Sequence, residues 1–133
     1  MTQLHDRNIL VTLHAPKTAR VGSAIPITLR IENKSAEPLE LYLRGREATY
    51  DFIATASDGE LVWRRLEHEI VPAILRVDVL EPGQVVEFRD SWDQRDNAGD
   101  PVAPGSYTIR GSVLTDGSAT LEAPAIPLRI TRK

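Results

Sequence analysis

Ala24-Ile25-Pro26-Ile27-Thr28-Leu29-Arg30-Ile31-Glu32 places Ile25, Ile27, Leu29 and Ile31 at every second position, with Pro26, Thr28, Arg30 and Glu32 between them. Successive side chains of a strand point to opposite faces, so this alternation predicts a strand with one buried and one wet face. The same period recurs in Ile9/Val11/Leu13, Leu39/Leu41/Leu43, Tyr50/Phe52/Ala54 and Leu61/Trp63. It continues in Leu75/Val77/Val79, Val86/Phe88, Tyr107/Ile109/Val113 (with Gly111 between) and Ile126/Leu128/Ile130, which makes about nine candidate strands. Between them lie Ala15-Pro16-Lys17, Asn33-Lys34-Ser35, Ser57-Asp58-Gly59, Glu81-Pro82-Gly83, Asn97-Ala98-Gly99, Pro104-Gly105 and Asp116-Gly117, all with turn chemistry. Pro and Gly interrupt nearly every window long enough for three helical turns. The chain therefore reads as all-β, with the rhythm of an antiparallel sandwich. Residues 66–74, broken by Pro72, read as loop. Pro26 and Pro127 each remove a ladder donor, so their strands are expected at a sheet edge or with that position turned outward.

With 133 residues the chain is expected to form one domain over 1–133. It contains 41% hydrophobic and 26% charged residues, and its mean hydropathy is -0.24, values ordinary for a globular protein. Apolar runs such as Ile9-Leu10-Val11 fall far short of the roughly 20 residues of a membrane span. Residues 1–8 are polar and lack the apolar stretch of a secretory signal, so a cytoplasmic location is expected, although a trimmed exported chain would read the same. The absence of cysteine fits a reducing compartment and rules out both disulfides and thiolate metal sites. The net charge of -3 and a pI near 5.6 argue against a phosphate-binding surface, so no nucleic acid is expected.

Motifs for chemistry are absent. No G-x-S-x-G elbow accompanies the histidines at 5, 14 and 68, and His68-Glu69 lacks the second His of a zincin helix. Asp93, Asp96, Asn97 and Asp100 carry oxygen within one loop, but their spacing lacks the closing Glu of an EF-hand, and such residues also cap turns. No cofactor, no metal and no catalytic residue is expected, and the protein reads as a non-enzyme.

Between Tyr50 and Tyr107 runs an ordered set of signatures: Tyr50-Asp51-Phe52, Asp58-Gly59, Val62-Trp63, Leu80-Glu81-Pro82-Gly83, Trp92-Asp93-Gln94 and Pro104-Gly105-Ser106-Tyr107. With the strand that closes on Glu32-Asn33-Lys34, this order and spacing resembles the BsuPI family of intracellular proteinase inhibitors over about residues 21–114. The resemblance implies an immunoglobulin-like antiparallel β-sandwich, necessarily without the disulfide, and inhibition of serine proteinases inside a bacterial cell. The chain departs from the family pattern between Arg64 and Leu75.

On physical grounds Tyr50, Phe52, Trp63, Trp92 and Tyr107 are expected to be core side chains first. Asp51 and Asp93 are expected to accept backbone or turn hydrogen bonds. The longest polar connection, residues 93–102, is the candidate protease-contact loop, held extended, with Gln94, Arg95, Asp96 and Asn97 as contact residues. Arg44-Gly45-Arg46 and Arg64-Arg65 are rival sources of a basic contact. The alternative is an immunoglobulin-like recognition or structural module that binds no protease.

Overall fold

A computed structural model describes residues 9–44, 49–70, 74–115 and 121–132. Among these, eleven strands and no helix are found. They are β1 (Ile9–His14), β2 (Thr18–Arg20), β3 (Ile25–Asn33), β4 (Leu39–Arg44), β5 (Tyr50–Ala56), β6 (Leu61–Arg64), β7 (Leu75–Leu80), β8 (Val85–Trp92), β9 (Gly105–Val113), β10 (Leu121–Glu122) and β11 (Ile126–Thr131). The Asp116-Gly117 turn, Pro72, Gly45 and Arg46 lie outside the described residues.

The alternating segment becomes β3, the middle strand of a sheet ordered β1-β3-β8, with Ile25, Ile27, Leu29 and Ile31 buried. A second sheet runs β2-β11-β9-β5-β6, and β10 also pairs with β9. All its pairings are antiparallel except that of β2 with β11. The inward residues of both sheets form one core around Trp92, Phe52, Ile109 and Leu128. Each such side chain contributes about 1.5–3 kcal/mol by leaving water. The fold is an immunoglobulin-like β-sandwich, and with no cysteine it carries no disulfide.

Two features bring the layers together. At Gly111 a Cβ would lie 2.9 Å from a Leu13 methyl and 3.2 Å from a Phe52 ring carbon, so the missing side chain lets the facing sheet come close. At the start of β9 the Tyr107 hydroxyl donates to the Ala103 carbonyl four residues upstream. This is the tyrosine corner of immunoglobulin-like sandwiches. Burial raises the Tyr107 phenol above its ordinary pKa of 10.0.

The prolines occupy inner strands, β3 and β11, rather than edge strands. Both are exposed, and on one side the neighbouring strand stops before reaching them. β1 ends at the partner of Thr28, two residues past Pro26, and β2 pairs only with residues 129–131. No ladder donor is needed there.

The strand pattern at Leu75/Val77/Val79 is correct in period but turned over. These three residues are half-exposed, while Leu80 is buried. β7 pairs only with β4, in a separate two-stranded ribbon whose inner face carries Leu39, Leu41 and Leu43 opposite Leu80, Asp78 and Arg76. Arg76 and Asp78 neutralise each other at 2.8 Å on that face.

Candidate functional site

The connection 93–102 is a braced hairpin. It leaves β8 at fully buried Trp92, whose indole N–H donates to the Arg95 carbonyl at 2.9 Å. Asp93 accepts the Arg95 amide at 3.1 Å through a carboxylate oxygen, as expected for a turn-capping residue. Gln94 sits at φ 64°, a left-handed conformation unusual for a residue with a Cβ. Beyond it Arg95 bridges to Pro101, and Val102 donates to the Gln94 carbonyl at 2.9 Å. The tip closes where Asp96 donates its amide to Asp100 and takes the Ala98 and Asp100 amides on its own carboxylate, each at 2.9 Å. The extended form expected across this loop is thus not carried through it, because Gln94 (φ 64°) is left-handed and Asp96 and Gly99 (φ 92°) fold residues 96–100 into a turn.

Two side chains fasten the hairpin to the sandwich. Gln94 is only 3% exposed. Its amide nitrogen donates to the Arg20 carbonyl at 2.6 Å and the Ser23 carbonyl at 2.9 Å, and its oxygen accepts the Gly22 amide at 3.2 Å. Asn97 acts like a short piece of strand. Its side chain accepts the Arg64 amide at 2.8 Å and donates to the Arg64 carbonyl at 3.0 Å, extending the sheet beyond β6. His68 reaches the Asn97 carbonyl at 3.1 Å through its ring Nε2.

The four expected contact residues therefore differ in what they offer. Arg95 is exposed, with its guanidinium resting on the Gly99 carbonyl at 2.9 Å. Asp96 and Asn97 are half-buried, and Gln94 is buried beneath the loop. A hollow of about 380 Å³ lies beside Arg95, lined by Val21, Gly22, Asp93, Gln94, Pro101 and Val102.

The rival basic pair is committed elsewhere. Arg64 is bound to Asp51 at 2.7 Å, and Asp51 also accepts the Leu66 amide at 3.1 Å. Arg65 bonds Asp90 at 2.7 Å, donates to the Tyr50 carbonyl and lies 3.8 Å over the Tyr50 ring. Both clamp β6 to neighbouring strands. Arg44 ends β4, and the rest of its loop is outside the described residues.

Of the aromatic signature residues Phe52, Trp92 and Tyr107 are buried, and Tyr50 and Trp63 pack against the core from its margin. Trp63 is half-buried and stacks on Trp92 at 5.5 Å with an interplanar angle of 15°, while Trp92 meets Tyr107 edge-on at 5.8 Å. Tyr50 packs against Phe52 and Phe88. Sequence reading did not single out the 20–23 turn, the partner of Gln94, nor Ile70, which is 94% exposed on the loop after Leu66. The described residues contain no group of three or more His, Cys, Asp or Glu able to hold a metal. No helix among them is long and apolar enough to cross a membrane.

A family profile described as "BsuPI: Intracellular proteinase inhibitor" matches residues 13–117. The chain belongs to the BsuPI family. The matched span runs from the end of β1 through β9, takes in the β4–β7 ribbon and the whole of the 93–102 hairpin, and leaves out β10 and β11. BsuPI proteins are proteinase inhibitors rather than enzymes. A search of curated proteins found no match.

Among solved structures, the CARDB domain of PF1109 from Pyrococcus furiosus aligns with a TM-score of 0.51 at 11% identity, covering 95% of this chain and 96% of that one. The Pseudomonas fluorescens alkylpurine DNA glycosylase AlkC, bound to DNA containing an abasic site analog, aligns with a TM-score of 0.51 at 14% identity. The alignment covers 92% of this chain but spans only 30% of AlkC. At these identities the likeness extends to the fold alone.

Proposed function

We propose that this BsuPI chain is a serine proteinase inhibitor, acting inside the cell without a cofactor, that offers the 93–102 hairpin to the protease cleft. The supporting observation is the double anchorage of the hairpin by Gln94 and Asn97 with Arg95 left exposed between them. A loop ordered before binding loses less entropy when it docks. Arg95 is the side chain offered to the specificity pocket, and Asp96 lies on the contact surface. Gln94 and Asn97 position the backbone from below. A single domain spanning residues 1–133 is sufficient for this role.

Titration of the full chain against a panel of serine proteinases with different specificities tests the reading. Stoichiometric inhibition of an Arg-preferring enzyme is expected, with a large loss in Arg95→Ala and unchanged unfolding. Prompt digestion, indifference of every protease, or full inhibition by Arg95→Ala would refute it. Indifference would instead favour a recognition module, a reading consistent with this fold forming one part of the longer AlkC chain.

A further inference from the structure

β7 and β8 are joined by a tight turn at residues 81–84, in which Gln84 donates to the Glu81 carbonyl at 2.9 Å and Gly83 has φ 77°. A turn this short normally begins a paired hairpin. Here the strands part. Among the described residues, β8 pairs only with β3, and β7 only with β4.

Asn33 sets the fork. Its main chain exchanges bonds with Gln84 and Gly83 at 3.1 and 2.9 Å, tying the turn to β3. Its buried side-chain amide donates to the Leu80 carbonyl at 2.8 Å and holds the end of β7.

Between the parted strands lies a groove of about 290 Å³. Its apolar floor comes from Ile31, Leu41, Leu43, Val86, Phe88 and, from β9, Val113. Four consecutive residues of β7, 77–80, also line it. One face of a strand contributes only every second residue, so β7 presents its edge to the groove. The turn closes one end. Towards the other, the Tyr50 hydroxyl covers the Arg89 carbonyl of β8 at 2.9 Å.

Exposed edges are normally protected by Lys, Pro, bulges or a covering loop. β6 is protected in this way, with Asn97 occupying both main-chain groups of Arg64. Among the described residues β7 has no Lys, Pro, bulge or covering loop. Val77 and Val79 are half-exposed and its two charges neutralise each other.

We propose that this fork is a binding slot for one extended polypeptide segment of another protein, about four residues long, with apolar side chains at alternate positions. Electrostatic complementarity selects this occupant. A strand edge presents alternating N–H and C=O partial charges, which another extended backbone matches, and the apolar floor takes every second side chain. A second copy of this chain fits less well, because its own β7 already carries β4 on one edge and would bring two strands into a space bounded on both sides. The slot shares no lining residue with the hollow beside Arg95, so it stands or falls independently of protease inhibition.

The test uses the full chain and a labelled peptide, acetyl-Lys-Thr-Val-Thr-Val-Thr-Lys-amide, with a counterpart N-methylated at both Val nitrogens as a control of equal charge. Fluorescence anisotropy should show saturable binding of the parent peptide, weakened about tenfold or more by N-methylation, which removes two backbone donors. Amide exchange followed by NMR should slow about tenfold at those amides of residues 77–80 and 85–88 that do not already bond β4 or β3 on adding the parent peptide, with β1 unchanged. Equal binding of the two peptides, no saturable binding, or protection at another site overturns the proposal. So does slow exchange at every amide of 77–80 in the protein alone, since the edge would then already be occupied by this chain or a second copy.

Discussion

Replacing Gln94 by alanine removes the side chain that fastens the candidate loop to the turn at residues 20–23. The wild-type amide makes three bonds of 3.2 Å or less in a site only 3% exposed. Hydrogen bonds contribute about 0.5–1.5 kcal/mol each, and stranded buried partners cost more. The Arg20 carbonyl also accepts the Ser23 amide at 3.1 Å, so its loss is cushioned. Gly22 N–H and the Ser23 carbonyl carry most of the penalty. A destabilisation of about 2–3 kcal/mol follows, which at a slope of about 1–3 kcal/mol per molar moves the urea midpoint by roughly 0.7–3 M.

Gln94→Gly separates side chain from backbone. It loses the same bonds but relieves about 1–2 kcal/mol of left-handed strain, offset by about 0.4–1 kcal/mol of added freedom in the unfolded chain. Gln94→Gly should therefore lie above Gln94→Ala by up to about 1.6 kcal/mol. An unfolding free energy for Gln94→Ala within about 0.5 kcal/mol of wild type would refute the claim that this side chain fastens the loop.

At Gly111 a methyl group would press on Leu13 at 2.9 Å and Phe52 at 3.2 Å, so Gly111→Ala should lose about 1–3 kcal/mol and lower Tm in calorimetry. Tyr107 couples stability to alkaline pH. Burial raises its folded pKa above 10.0, so its contribution is complete below that value and is lost as pH rises through the folded pKa. Urea midpoints measured from about pH 9 upward should fall more steeply for wild type than for Tyr107→Phe, which should itself be weaker by about 1 kcal/mol near neutral pH.

Period-two alternation at Ile25/Ile27/Leu29/Ile31 and its repeats made the sheets legible, because it states which residues share a face. It does not state which face meets the core. Leu75, Val77 and Val79 show the gap, since the inner face of β7 carries a mutually neutralised Arg76–Asp78 pair and the apolar residues point outward. β2 and β10, three and two residues long, are too short to display a period. Of the two placements expected for the prolines, a sheet edge or an outward-turned position, the structure shows the second, because a neighbouring strand that stops early leaves no acceptor facing the missing donor.

For the site, sequence reading could find the loop but not its anchors. Gln94 looks like any polar loop residue, and its burial comes from a turn some seventy positions away in the chain. That burial changes the energetics of the proposed contact. Arg95 must release the Gly99 carbonyl to enter a specificity pocket, which costs about 0.5–1.5 kcal/mol at an exposed bond. Ordering a free backbone on binding would cost about 1–2 kcal/mol for each residue fixed. In this chain the hairpin is already ordered by the bonds of Asp96, Gln94 and Asn97. Even two or three pre-ordered residues outweigh the single bond Arg95 gives up, so the balance favours docking with the backbone held as it is and only the guanidinium moving.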